Sequence, residues 1–222
     1  FYMAYITANC IKDDQGKITN YVAIVSDTTK RKRTEAKLVK MAKTDTLTGL
    51  PNRDVFFSNL QKQVSKKSPT AVLVFDLDDF KKVNDTHGHG EGDKLLIEAA
   101  NRINLSVASA DIVCRFGGDE FLILLNENTS LELAQELAKS ILKSFQKPIK
   151  INSSLFYVTC SIGIAMLEDE LIQASELISR ADIAMYEAKG NGGDQYFAYQ
   201  GGMFQRVAHR VMMESEVKQA LA

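Results

Sequence analysis

The sequence predicts an α+β fold with a ferredoxin-like element order, β-α-β-β-α-β, and an extra helix and strand at the C-terminal end. Two observations predict it. Short apolar runs suited to strands alternate with stretches whose apolar residues recur at helical spacing. Two of those runs, Ile112–Cys114 and Phe121–Leu125, flank the turn Arg115-Phe-Gly-Gly-Asp-Glu120 and read as a hairpin, because Gly takes positive φ at no steric cost. A helix before the hairpin, one after it, and a strand on each side complete the order expected of helices packed on one face of an antiparallel sheet.

Residues 1–29 read as two strands, Ile6–Ile11 and Tyr21–Val25, around the turn Asp13-Asp-Gln-Gly16. Two strands alone are marginal in water, so this stretch is expected to be the tail of a larger domain. Residues 30–44 are charged and helix-permissive, with Ala36, Leu38, Val39, Met41 and Ala42 as apolar positions. That stripe suits either pairing with a second copy or a solvated connector. Leu47–Arg53 is a loop, and Val55, Phe56, Leu60 and Val64 then recur as on a helix. Thr70–Phe75 is a buried strand running into Asp76. Phe80–Asp93 reads as a polar, Gly-punctuated loop opening a helix that carries Leu95, Leu96, Ala99, Ala100 and Ile103. After the hairpin, Leu133, Ala134, Leu137, Ala138, Ile141 and Leu142 mark a helix, and Phe156–Met166 a strand. Leu177, Ile178, Ala181, Ala184, Met185 and Ala188 mark the extra helix, Gln195–Tyr199 the extra strand. Residues 203–222 look helical, without a partner core of their own.

Composition narrows the function. The 222 residues carry 27 basic and 28 acidic side chains, so no bulk field argues for nucleic acid or an anionic membrane. Three cysteines, Cys10, Cys114 and Cys160, form no CxxC pair and suit a reducing cytoplasm better than a disulfide framework or a zinc site. No apolar run approaches the roughly 18 residues of a membrane span. No signal peptide opens the chain. It does not begin with Met, and it is expected to be a piece of a parent protein that could be anchored elsewhere.

Two acidic clusters carry the chemistry. Asp76-Leu-Asp-Asp79 ends the first core strand, and Asp119-Glu120 sits at the hairpin turn. If the hairpin neighbours that strand, these carboxylates meet, at an energetic cost unless a cation compensates. Oxygen ligands without His or Cys suit Mg²⁺ or Mn²⁺, and such ions serve phosphoryl or nucleotidyl transfer. An acidic turn open to solvent is the plainer alternative. The 80–93 stretch offers backbone N–H groups and Lys81 to phosphates, and Asn84 and Asp93 to a base edge. A carboxylate accepting from N–H donors favours guanine over adenine. Gly88–Lys94 is not a P-loop, because Asp93 stands where its Lys would be. His87 and His89 are not a helical metal pair.

Five stretches together resemble the GGDEF domain of the diguanylate cyclase family. They are Asp45-Thr-Leu-Thr-Gly-Leu-Pro-Asn-Arg53, Asp76-Leu-Asp-Asp-Phe-Lys-Lys-Val-Asn-Asp85, Gly88-His-Gly-Glu-Gly-Asp93, Arg115-Phe-Gly-Gly-Asp-Glu-Phe121 and Tyr186-Glu-Ala-Lys189. The resemblance implies the nucleotidyl-cyclase palm fold over residues 45–202. It also implies condensation of two GTP into cyclic di-GMP, one GTP presented by each subunit of a homodimer. By matching position, Asp76 and Asp119 would be metal ligands, with the Leu77 carbonyl assisting. Glu120 would hold metal or take the proton of the attacking 3′-hydroxyl. Asn84 and Asp93 would read guanine, and Phe80, Lys81 and Lys189 would line or clasp the phosphates.

Asp13–Arg33 resembles the C-terminal end of a PAS sensory domain, with 30–44 as a helical linker. Arg206–Leu221, within 203–222, resembles the helix that leads into an EAL phosphodiesterase domain. Two positions depart from the family pattern. Gly193 stands where an Arg usually follows Lys189 by four residues. Ala108 replaces the Arg of the Arg-x-x-Asp product-inhibition motif that would end at Asp111. The alternative function is therefore a GTP-binding regulatory module controlling an adjoining EAL domain.

Overall fold

The structure, a computed structural model, describes residues 4–108, 111–126, 128–167 and 172–220. Expectations for the Ala36 and Val39 side chains, for Ser109 and Ala110 and for the outermost residues lie outside what is described. The chain divides into two compact units, Phe1–Lys43 and Thr44–Ala222.

In the first unit, β1 (Ala4–Lys12) pairs antiparallel with β2 (Ile18–Asp27). The Asp13 carboxylate accepts from the amides of Gln15 and Lys17 and closes the turn between them. Both strands are exposed along their whole length. The helix α1 (Thr29–Lys43) follows, its first amide bonded to the Asp27 carboxylate at 2.8 Å.

The second unit opens with α2 (Arg53–Lys66), capped by Asn52, whose side chain accepts from the Val55 amide. Next come β3 (Thr70–Leu77), α3 (Phe80–His87), α4 (His89–Ser106), β4 (Ile112–Gly117) and β5 (Glu120–Leu124). Ser130 caps α5 (Leu131–Phe145). A small hairpin, β6 (Ile149–Ile151) and β7 (Ser154–Phe156), precedes β8 (Cys160–Leu167). The chain then forms α6 (Ala174–Gly190), β9 (Gln195–Ala198) and α7 (Met203–Ala220). The main sheet has the order β4-β5-β3-β8-β9.

This is the expected α+β architecture on a mostly antiparallel sheet; β9 alone runs parallel to its neighbour. One expectation is corrected: helices cover both faces, not one. Along β3, Ala71, Leu73, Phe75 and Leu77 enter a core with residues of α4 and α5. Val72 and Val74 enter a second core with Phe56 and Leu60 of α2 and Leu177, Ala181 and Met185 of α6. A strand buried on both faces reads as a continuous apolar run, which is why Thr70–Phe75 shows no alternation.

Two boundaries and one packing expectation also differ. The 80–93 stretch is not a loop but α3 and the start of α4, broken only at Gly88. The run beginning at Phe156 is divided between β7 and β8. Finally, α7 does have a partner: Met203 is buried, and Arg206 and Arg210 reach Glu187 of α6. Among the described residues no helix is long and apolar enough to cross a membrane.

Candidate active site

The sheet register brings the two acidic clusters together. Asp76, near the end of β3, pairs directly with Glu120, the first residue of β5, and Asp119 occupies the β4–β5 turn beside it. The turn is held from its own strand. Arg115 Nε and Nη2 donate to the Gly118 carbonyl at 3.0 and 2.7 Å, and Nη1 reaches Asp45 at 3.2 Å. Asp45 in turn accepts from the amide and hydroxyl of Thr48, which lowers its pKa against the opposing effect of burial. Asp45–Thr48 thus anchors the turn that carries Asp119.

Asp76 is only 4% exposed. Burial, the largest influence, lifts its carboxyl from an ordinary 3.8 to about 6; Asp119 and Glu120 push the same way, and Lys189 opposes them. Lys189 Nζ, from the last turn of α6, lies 2.6 Å from Asp76 Oδ1. It is a close ion pair, and its hydrogen bonding and charge favour the ionised carboxylate against burial. Burial and the charges of Asp182 and Asp119 raise Glu120 as well. Asp182 is itself raised by burial, with Lys189 opposing. For Lys189, burial favours the neutral amine, but the surrounding carboxylates outweigh it and raise its pKa.

Several acids therefore share one partly buried place with one ammonium. Among the described residues no three His, Cys, Asp or Glu side chains are gathered closely enough to hold an ion as they stand. The donors nonetheless fit a hard cation: they are carboxylates, and burial together with their mutual repulsion raises Asp76 and Glu120, a cost that a cation offsets. An ion completed by substrate phosphates needs only a few protein carboxylates.

Asp78 plays a part the sequence did not disclose. Its carboxylate accepts from Ser161 Oγ and Thr159 Oγ1, both at 2.7 Å, and from the Asp194 amide at 3.0 Å. It ties β3 and β8 to the turn that follows α6. Gly193 lies against this clamp at φ +72°, where an added Cβ would fall 2.7 Å from Asp78 Oδ2. Gly193→Arg would thus adopt a left-handed backbone and dislodge Asp78. We expect a loss of about 1–3 kcal/mol, seen as a thermal midpoint several degrees lower, without tighter triphosphate binding. Unchanged melting together with tighter binding would refute this.

Asn84, Asp93, Lys81 and Phe80 belong to α3 and the start of α4. Asn84 is half-buried, and its side chain rests against Gly92, where any Cβ would overlap the amide oxygen. Asp93 and Lys81 are exposed. Phe80, the first residue of α3, packs its side chain into the core. Leu77 is the buried last residue of β3, paired with Cys160. Ala108 is exposed, and the Asp111 carboxylate accepts from the Asn126 amide. Arg102 donates to the carbonyls of Ser144, Lys147 and Pro148 and stands over the Phe145 ring, so it is committed elsewhere.

The family model described as "Diguanylate cyclase, GGDEF domain" matches residues 42–195. The chain belongs to the GGDEF family. It is 34% identical over 198 residues to "Cyclic di-GMP phosphodiesterase PdeR" of Escherichia coli, covering 88% of this chain and 30% of that protein. It is 38% identical over 165 residues to "Diguanylate cyclase A" of Treponema denticola, covering 71% of this chain and 44% of that protein. The chain thus spans less than half the length of these curated relatives. Among solved structures, the GGDEF domain of TpbB (or YfiN) from Pseudomonas aeruginosa superposes with a TM-score of 0.71 at 34% identity, covering 74% of this chain and 99% of that one.

In this GGDEF domain, Asp182 was legible in hindsight. It is an acid on the otherwise apolar stripe of α6, seven residues before Lys189 and so on the same face.

Proposed function

We propose that this GGDEF domain condenses two GTP into cyclic di-GMP, acting as a metal-dependent homodimer. The observation that carries the reading is the pairing of Asp76 with Glu120 beside Asp119, with Lys189 Nζ 2.6 Å from Asp76. Asp76, Asp119 and the Leu77 carbonyl would hold Mg²⁺ or Mn²⁺, with Glu120 in reach. Held by these residues, a divalent ion would supply Lewis-acid polarisation of the attacking oxygen and charge neutralisation for departing pyrophosphate. The chain's own residues do the rest. Lys189 and Lys81 hold phosphate oxygens. Asn84 and Asp93 hold the guanine edge, Asn84 fixed by its seat on Gly92. The 3′-oxygen of one nucleotide bonds to the α-phosphorus of the other, and the bond to pyrophosphate breaks. Glu120, whose pKa is raised by burial and by Asp182 and Asp119, takes the hydroxyl proton. Each subunit of the dimer contributes one such site, and cyclic di-GMP needs both. With GTP as substrate, the work belongs to the cytoplasm.

Purified protein with GTP and Mg²⁺ or Mn²⁺, its products resolved by chromatography, tests this; absence of cyclic di-GMP at every concentration would refute it. Calorimetry should favour GTP over ATP, since unmatched polar groups cost on the order of 1–3 kcal/mol each. Equal affinities would remove the guanine reading. Product feedback through the Arg-x-x-Asp site is not expected. Ala108 offers no donor, Arg102 is engaged at α5, and Asp111 is bonded to the backbone. Titration with cyclic di-GMP should show no tight binding; submicromolar binding would point to a different regulatory pocket.

A second reading keeps GTP binding but not turnover, with the domain steering a neighbouring EAL phosphodiesterase. Gly193 against Asp78 favours it, since no phosphate donor fits there.

A further inference from the structure

We infer that Arg210 of α7 is a positioning residue for Lys189, so that the docking of the last helix sets the cation facing Asp76. Its bearing on nucleotide binding rests on the phosphate-clasp role proposed for Lys189. Glu187, on the last turn of α6, is an acid only 7% exposed. Two arginines one turn apart on α7 answer it: Arg206 Nε stands 3.4 Å from Glu187 Oε1, and Arg210 Nη2 stands 3.8 Å from Oε2. Glu187 Oε2 and Arg210 Nη1 are buried without hydrogen bonds, so charge and close packing hold this contact.

Arg210 also lies over Gly190, where any Cβ would overlap its Nη1. Between Glu187 and Gly190 in sequence stands Lys189. It lines, with Tyr186, Val207, Arg210 and Val211, a crevice of about 190 Å³ between α6 and α7.

Past Gly190 the chain folds back: the Gly193 amide donates to the Ala188 carbonyl, and the Asp194 amide donates to Asp78. The segment 187–194 is therefore clamped at both ends, by α7 at one and by the acidic end of β3 at the other. Removing Arg210 leaves a buried acid half-compensated and uncovers Gly190, the most permissive residue of that turn. Lys189 then loses its fixed direction, and any force that lifts α7 is felt at Asp76.

Amide hydrogen exchange on the full chain without nucleotide tests the coupling, using Arg210→Ala, Arg210→Met and Arg210→Lys. Peptides spanning 187–194 should exchange about tenfold faster in the Ala and Met variants and near the wild-type rate with Lys, while β3 and β5 stay unchanged. Unchanged exchange in 187–194 overturns the inference. So does an increase with Ala that Met abolishes, because alkyl cover and not charge would then be acting. In a second arm, Arg210→Ala should weaken GTP–Mg²⁺ binding several-fold but add nothing in a Lys189→Ala background. Additive losses would overturn the route through Lys189. If wild type binds no GTP, the proposed function fails, and the exchange result alone decides the coupling.

Discussion

Asp76→Asn is expected to melt at a higher temperature than wild type above pH 6, and to lose the response to divalent cation and GTP. The sign follows from the environment of Asp76. Its folded carboxyl titrates at about 6, against an ordinary 3.8. Between those values the folded chain holds a proton that the unfolded chain has lost, so rising pH costs stability. The contribution is fully present below about pH 4 and gone once pH passes the folded value. A shift of this size corresponds to at most about 3 kcal/mol, with relaxation and water entry reducing it. Asparagine keeps the shape and carries no such penalty, so the gap between variant and wild type should open as pH rises from 4.5 to 8. Thermal melts over that range decide it: a constant gap, or a variant no more stable at pH 8, would contradict the environment described. Mg²⁺ with GTP should stabilise wild type alone.

Asp119→Ala should lower cyclic di-GMP synthesis by on the order of 100-fold or more, as removal of one charge-stabilising group commonly does. Stability should move by less than about 1 kcal/mol, because Asp119 sits in a turn outside both cores. The turn itself is held by Arg115 through the Gly118 carbonyl and needs no help from the Asp119 side chain. Single-turnover product formation beside a thermal melt separates the two effects. Equal synthesis rates in wild type and variant would remove Asp119 from the site.

Long helices with apolar spacing, such as 131–145 and 174–190, were legible because periodicity survives without context. The hairpin was legible because Gly118 and its neighbours leave few alternatives. Less local features were not. Phe80–His87 reads as loop because it carries two apolar residues and is closed by Gly88; its helix depends on Phe80 entering the core. The strands β6 and β7 are three residues each, too short to show alternation. Helix cover on both faces was implied by the unbroken apolar run of β3 but not drawn from it. In the site, the clusters Asp76–Asp79 and Asp119-Glu120 were legible as acids, while the clamping role of Asp78 and the presence of Asp182 were not. Asp78 acts through Thr159, Ser161 and Asp194, at least 81 positions away, which no local pattern encodes. The Glu187–Arg210 contact joins residues of two different helices and is likewise beyond any local pattern.

Alternation in β3 constrains how this domain can vary. Ala71, Leu73, Phe75 and Leu77 face one core, and Val72 and Val74 face the other, on the side from which Lys189 reaches Asp76. Adding or deleting a single residue between Thr70 and Asp76 would reverse that parity and drive the carboxylate into the opposite core, with Phe75 sent to the acidic side. Substitutions of similar size are tolerable along the strand; changes in length are not. Inherited insertions and deletions should therefore collect in the connections and spare this strand.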